Sequence, residues 1–379
     1  MNSSSVYIHL PFCTERCPYC DFVSNDISAI PFSAYSDALL REWRLRRPLV
    51  QGLTLRSIYL GGGTPSSLNP DQLDRILSRV ETALDLTPDA TRHLEINPDD
   101  VDAATAAAWR DLGFDFVSLG AQSFDDVALG FLGRKHRAAD AFRAAETLRD
   151  AGFPTVSVDL IFGFPGQTVG GWRRQLETVL SLGVHHLSCY QLTVHDGTIF
   201  GRRSSRGELL ELDEDDQAEL YLLTHELLGA AGWEGYEVSN FAAAPSHRSK
   251  HNRKYWNHTP FLGLGPSAHS FLGRTRWWNR RKLRMWTRAL EDGRSPIGGE
   301  EEITVDELFF EAVMLGLRTA DGIDVEDLQQ RFGAEIAVVD ERAVERLAEE
   351  GQLRCEGRRI QPTPRGMAIA EGLVRSILP

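Results

Sequence analysis

Residues 6–22 read VYIHLPFCTERCPYCDF, a β-branched and aromatic run that opens directly into cysteines at positions 13, 17 and 20. The run Val6–Leu10 predicts a strand, so the C-x3-C-x2-C spacing falls on the loop that follows it. Three thiols within eight residues are able to converge on one metal centre. At this point three readings stand open: a zinc site completed by His9, three buried cysteines, or an iron–sulfur cluster. A closed zinc site usually shows a second metal-binding pair, and no second C-x2-C follows in the chain. Three thiolates on a four-iron cluster leave one iron without a protein ligand, which a small molecule with an amine and a carboxylate can chelate. The other two cysteines, Cys189 and Cys355, add too little for a disulfide framework.

Working outward, short apolar runs alternate with helix-period segments. Val6–Leu10, Ser57–Leu60, His93–Ile96, Phe116–Leu119, Val156–Ile161 and His186–Tyr190 are expected strands, and Ala138–Ala151 and Trp172–Leu182 are typical of the helices between them, ended by Gly152 and Gly183. This predicts an α/β fold built on a parallel sheet. The alternation stops after a sixth helix near Asp213–Ala231, so a partial (β/α)6 barrel is expected in place of a closed eight-unit TIM barrel. The unusual residues, Pro11–Cys20, Gly61–Pro65, Asn97–Asp99, Gly120–Ser123 and Gly163–Gly166, follow strands directly, where such sheets gather their chemistry. The expected domains are a core over 1–235, a basic, tryptophan-rich segment over 236–298 and a winged-helix-like α+β module over 299–379, with LRCEGRRIQPTPRG as its hairpin and Met367–Ile377 as its last helix.

The 379 residues carry 42% hydrophobic side chains, ample for packed cores. No apolar run nears the ~20 residues a membrane span needs, and MNSSS lacks a signal peptide's features, so a cytoplasmic protein is expected. A net charge of −13 argues against polyanion binding by the whole surface, yet Val238–Leu290 holds eleven Lys/Arg and no Asp or Glu. One basic patch on an acidic protein is expected. Glu341, Glu345, Glu349 and Glu350 in the tail make nucleic acid an unlikely partner.

CTERCPYC followed by YLGGGTP is similar to the signature of the radical S-adenosylmethionine (SAM) superfamily, in which three cysteines hold a [4Fe-4S] cluster and SAM chelates the open iron. YIHLPFC, EINPDD, LGAQSFDD, LGRKH and DLIFGFPGQT narrow the resemblance to the branch of coproporphyrinogen dehydrogenases and HemW-type heme chaperones, over nearly the whole chain. The resemblance implies cluster ligands Cys13, Cys17 and Cys20, and SAM contacts at Tyr7, Gly62, Gly63, Thr64, Glu95, Gln122, Arg134 and Asp159. Carboxylates suit the ammonium and ribose hydroxyls, guanidinium suits the carboxylate, and glycines admit close backbone approach. The structural alternatives are helix caps for Glu95 and Asp159 and a surface ion pair for Arg134.

Within the branch, the dehydrogenase pattern resembles C-x3-C-x2-C-x-C with a longer N-terminal extension. This chain has Phe22 at the fourth position and twelve residues before Cys13. HNRKYW at 251–256 and FLGLGPSAHS at 261–270 are similar to the chaperone pattern. The resemblance therefore implies a carrier more than a catalyst: a chaperone that binds heme and passes it to an acceptor protein, with SAM as a structural or regulatory ligand. A membrane respiratory enzyme as acceptor, peripheral membrane association and a homodimer belong to the same expectation. His251 is the leading candidate for the heme iron, with His247, His258 and His269 behind it, and the basic stretch RTRWWNRRKLRMW is expected to hold propionates. Two alternatives compete: oxygen-independent decarboxylation of coproporphyrinogen III, and a radical SAM enzyme acting on RNA.

Overall fold

The computed structural model describes residues 3–81, 85–336 and 338–378. Met1 and Asn2 of the MNSSS start lie outside the described residues. Six strands, β1 (Ser3–Leu10), β2 (Thr54–Gly62), β3 (Asp85–Ile96), β4 (Phe116–Gln122), β5 (Thr155–Phe162) and β6 (His186–Gln191), run parallel in sequential order. The helices α1 (Phe32–Arg46), α2 (Pro70–Glu81), α3 (Ala103–Asp111), α4 (Ala138–Asp150), α5 (Val169–Ser181) and α6 (Glu214–Ala230) connect or follow them. This is the six-unit α/β arrangement expected from the alternation. The strands exceed their expected bounds, β3 most of all: it pairs Asp85 with Thr54 and, across a register shift, Thr91 with Ser57.

Alternation within the strands separates two environments. Val6, Ile8, Leu10, Leu60, Val117, Val158 and Leu187 are fully or almost fully buried in the main core, which they share with Leu39, Leu73, Trp109, Leu148 and Leu176 of the helices. Each such large apolar side chain contributes about 1.5–3 kcal/mol when removed from water. The intervening positions, among them Tyr59, Glu95, Ser118, Asp159 and Ser188, carry polar groups and line a common cavity. A polar strand face is stable there because those groups hydrogen-bond one another.

Residues 236–302 extend the same sheet at both edges. Phe261–Leu264 pairs parallel with β1, and His269–Leu272, Thr275–Asn279 and Ile297–Glu302 continue antiparallel from it. Asn240–Ala242 pairs antiparallel with β6. Leu262, Trp277, Trp286 and Phe241 share the main core, so the compositional change at 236 marks no separate core. Beyond it, the helices Val305–Gly316, Val325–Phe332 and Glu341–Glu349 pack with a three-stranded sheet around their own cluster of buried residues. The tail's last helix is divided at Ile369, whose φ of −122° and ψ of 30° leave the helical region.

The expected basic patch is partly cancelled in three dimensions. Arg248 pairs with Glu234 and Asp321, Lys250 with Asp89, Arg253 with Asp321, Arg274 with Glu302, Arg276 with Glu301 and Glu311, and Arg288 with Asp292. All these acids lie outside the 238–290 stretch, which is why the stretch looks unopposed in one dimension. Arg280, Arg281, Lys282 and Arg284 make no ion pair among the described residues.

Candidate functional site

The carboxyl ends of the strands enclose a cavity of about 440 Å³, lined by Cys13, Cys17, Cys20, Phe22, Gly62, Gly63, Thr64, Glu95, Gln122, Arg134 and Asp159 among others. The structure thus brings together residues up to 146 positions apart, from Cys13 to Asp159. The glycine strip is tied to the cysteine loop through its backbone: Gly63 N–H donates to Leu10 O (2.8 Å) and Thr64 N–H to Phe12 O (2.6 Å). Glycine is required at 62 because its φ is +112° and a Cβ there would lie 2.3 Å from the His9 ring.

All three loop cysteines carry free thiols at the cavity wall. The Thr64 hydroxyl donates to Cys13 Sγ at 3.6 Å and the Arg134 guanidinium to Cys17 Sγ at 3.4 Å. Burial pushes the Cys13 thiol up and Cys20 up to about 11. Among the described residues no three His, Cys, Asp or Glu side chains gather closely enough for a single metal ion. Thiols that share a wall without meeting at one point fit the corners of a multi-iron cluster better than tetrahedral zinc. His9 is unsuited to complete a zinc site: Nδ1 accepts from Tyr7 Oη (3.1 Å), Nε2–H donates to Val23 O (2.7 Å), and burial lowers its pKa to about 4. The donor set therefore fits a [4Fe-4S] cluster, with guanidinium and hydroxyl groups placed on its sulfur ligands.

Glu95 and Asp159 do not cap helices; Asp102 caps α3 and Thr168 caps α5. Both carboxyls face the cavity. Glu95 accepts from Tyr59 Oη and from Gly62 N–H, each at 2.8 Å, and desolvation, with Asp159 nearby, pushes it up to about 7. Asp159 accepts from Ser118 Oγ at 2.8 Å and is pushed up to about 6 by desolvation, partly opposed by hydrogen bonds from Ser188, Ser118 and Ser157. Among the described residues Arg134 forms no surface ion pair: besides Cys17 it donates to Asn97 Oδ1 and to Gly120 O. Gln122 has a φ of +64° after a register shift in β4, a conformation costing about 1–3 kcal/mol in a non-glycine residue. Tyr59 and the serines around Asp159 were not singled out by sequence, and Asn97 only as part of the strand-end cluster Asn97–Asp99. Their only signal was position, on the cavity-facing alternation of strands or just past a strand end.

Two expected residues stand elsewhere. Tyr7 is not part of the cavity wall; its ring packs on Tyr59 (5.9 Å between centroids) and His251 (6.3 Å) beneath it. His251, in the short helix Lys250–Arg253, is 1% exposed and sits under the barrel floor. Lys254 Nζ lies 2.5 Å from its Nε2 and Ser57 Oγ 2.9 Å from its Nδ1, with Tyr59, His93 and Tyr255 rings around it. Burial and Lys254 hold its pKa well below the ordinary histidine value. Neither nitrogen is open to an iron atom, so this conformation does not present His251 as a heme ligand. His247 stacks on His185 and meets Thr155 Oγ1 (3.0 Å), His258 meets Glu311 (3.2 Å), and His269 stacks on Trp278.

The model of the radical SAM superfamily matches residues 7–179, and that of the HemN C-terminal domain matches 303–369. The heme chaperone HemW of Mycobacterium tuberculosis is 35% identical over 376 residues, spanning 98% of this chain and 94% of that protein. The chain belongs to the HemW family of radical SAM proteins. HemW of Bacillus subtilis is 32% identical over 375 residues, 99% of each chain. Among solved structures, Escherichia coli coproporphyrinogen III oxidase (HemN) superimposes with a TM-score of 0.84 over 99% of this chain and 90% of its own. At 23% identity that likeness speaks for the fold alone. The HemW-family cysteines of this chain and its glycine strip both lie within the matched 7–179.

Proposed function

We propose that the protein is a heme chaperone: Cys13, Cys17 and Cys20 hold a [4Fe-4S] cluster, SAM occupies the adjoining cavity, and heme is bound and passed to an acceptor protein. The observation that carries this reading is likeness over almost the full chain, at 32–35% identity, to proteins named heme chaperones. When bound, the cluster supplies a reducible iron centre with one position free of protein. Around it, Glu95 and Asp159 offer carboxylates to an ammonium group and ribose hydroxyls, and Gln122 and the Gly62–Gly63 backbone orient the remaining polar groups. Arg134 and Thr64 place positive charge and a hydroxyl on the cysteine sulfurs. Phe22, 63% exposed at the cavity, stands where the dehydrogenase pattern has a fourth cysteine.

The test is one anaerobically reconstituted preparation measured three ways: hemin titration, hemin transfer to an apo-hemoprotein, and coproporphyrinogen III turnover with a reductant. Stoichiometric hemin binding and transfer without turnover is the expected result. Formation of protoporphyrinogen would overturn it in favour of the dehydrogenase.

An acceptor at a membrane fits one face of the molecule. α1 packs on the helix Leu283–Glu291 through Tyr35 and Trp286, 5.6 Å between ring centroids. Beside each other these helices expose Arg41, Arg44 and Arg284 with Leu45 and Met285, and Arg47, Leu49, Arg281 and Lys282 flank them. Among the described residues no helix is long and apolar enough to cross a membrane. Basic and apolar side chains on one face suit an anionic lipid surface, and co-sedimentation with phosphatidylglycerol vesicles, lost on reversing Arg44 and Arg284, checks this.

A further inference from the structure

The cavity has room for one small molecule beside the cluster, since single-ligand sites run from about 300 to 1,000 Å³. A porphyrin must therefore lie across the mouth. Phe22, Tyr190 and His195 also line this wall. Phe22 is 63% and Tyr190 42% exposed, large aromatic surface left open at a concave site.

Unlike His247, His251, His258 and His269, His195 lines the cavity. Its side chain is 47% exposed, and its one charged contact among the described residues is Asp21, whose Oδ2 lies 4.0 Å from Nδ1. A histidine that binds metal through one nitrogen commonly turns its other N–H toward a carboxylate. With Nδ1 facing Asp21, Nε2 is the nitrogen left for a ligand. After His195 the chain enters the short helix Ile199–Ser204, pinned beneath the cysteine loop by Phe200 N–H donating to Pro18 O at 3.0 Å. That tether holds the helix carrying Ile199, 47% exposed, and Arg202 and Arg203 next to the cysteine loop. Neither arginine makes an ion pair among the described residues; Arg202 donates to Gly197 O and Arg203 lies over the Phe200 ring. Guanidinium groups free of carboxylate partners are suited to propionates.

We propose that heme docks across the mouth of the cysteine-lined cavity with His195 Nε2 as an axial ligand of its iron, Phe22, Tyr190 and Ile199 against the porphyrin, and Arg202 and Arg203 on the propionates. This rests on the heme-chaperone reading and moves the iron ligand from His251 to a histidine of the cavity wall, a wall that Asn252 of HNRKYW also reaches. Coordination displaces a water or chloride from ferric hemin and involves no electron transfer.

The test titrates ferric hemin into the full-length, cluster-reconstituted protein, following the Soret band. His195→Ala should shift the band and weaken binding at least tenfold while iron content and melting temperature stay at wild-type values, and added imidazole should restore the band position. Arg202→Gln with Arg203→Gln should weaken binding several-fold with the band unmoved. Unchanged affinity and spectrum in His195→Ala would overturn the site while leaving the chaperone reading intact. A wild-type protein that binds no hemin would instead overturn the chaperone reading and the site with it.

Discussion

Cys17 and His251 are both potential ligands on the same barrel, and the two ends that hold them differ in what covers them. At the carboxyl end of the strands the loops leave a cavity into which thiols, two raised-pKa carboxyls and an arginine point. At the amino end the stretch Ser249–Trp256 closes the floor, and its histidine, lysine and tyrosine satisfy one another. Similar polar residue types thus give a receptive site at one end and a sealed network at the other. A motif identifies residue types, but the element packed over it decides whether they meet a ligand.

The largest effect expected is loss of the receptive end's cluster. Cys13→Ala, Cys17→Ala and Cys20→Ala should each reduce reconstituted iron and acid-labile sulfide to near zero, while Cys189→Ala and Cys355→Ala should keep wild-type content. Cys189 is buried in the main core on the other face of β6 and Cys355 lies on the tail's hairpin, and neither lines the cavity. Equal loss in Cys189→Ala would erase the contrast. Next in size, Gly62→Ala forces a side chain into positive φ and onto the His9 ring, costing about 2–5 kcal/mol as strain and overpacking together. Chemical denaturation measures it, and a midpoint within experimental error of wild type would show that the strip yields.

A smaller effect concerns pH. Glu95 is raised from the ordinary carboxyl range to about 7 and Asp159 to about 6. Because a raised carboxyl binds its proton more tightly in the folded state, its contribution to stability is full below about 4.5 and is lost as pH rises to about 7. Ligand binding has the opposite slope, since an ammonium or ribose hydroxyl needs the carboxylate. SAM affinity should therefore fall as pH drops through 7, up to about tenfold per unit, and more steeply below 6. Glu95→Gln should weaken SAM at pH 8 by tenfold or more and remove the step near 7. Calorimetric titration at pH 5.5, 6.5 and 8 decides, and a flat profile in the wild-type protein would dissociate Glu95 from the ligand.

Much of the receptive end was legible in sequence because local spacing encodes it. C-x3-C-x2-C and GGGTP each sit directly after a strand, so their placement followed from strand order alone. Glu95, Gln122, Arg134 and Asp159 were found through resemblance, and the structure gathers all four in one cavity. The sealed end was not legible. HNRKYW contains a histidine beside aromatic residues, and nothing in its spacing says that Ser57, 194 residues away, meets that histidine from the neighbouring strand. The basic stretch was legible only in part for the same reason, since Glu234, Asp89, Glu311 and Asp321, which oppose some of its residues, come from distant segments.

The smallest expected effect is on hemin in a His251→Ala variant, and it sharpens the contrast most directly. His251 Nε2 accepts from Lys254, and Nδ1–H donates to Ser57, whose hydroxyl lies 2.9 Å from Ser5 Oγ. Removing the ring leaves a buried amine, held well below its usual pKa by burial, without its acceptor. That loss should cost about 1–3 kcal/mol of stability, read from denaturation. Lys254→Met in the same background should recover part of it, because an apolar side chain of similar length needs no partner. The Soret band and hemin affinity should stay at wild-type values, since neither His251 nor Lys254 lines the cavity. A shifted Soret band with normal iron content would mean that the floor opens to admit heme, and the division between receptive and sealed ends would fail at His251.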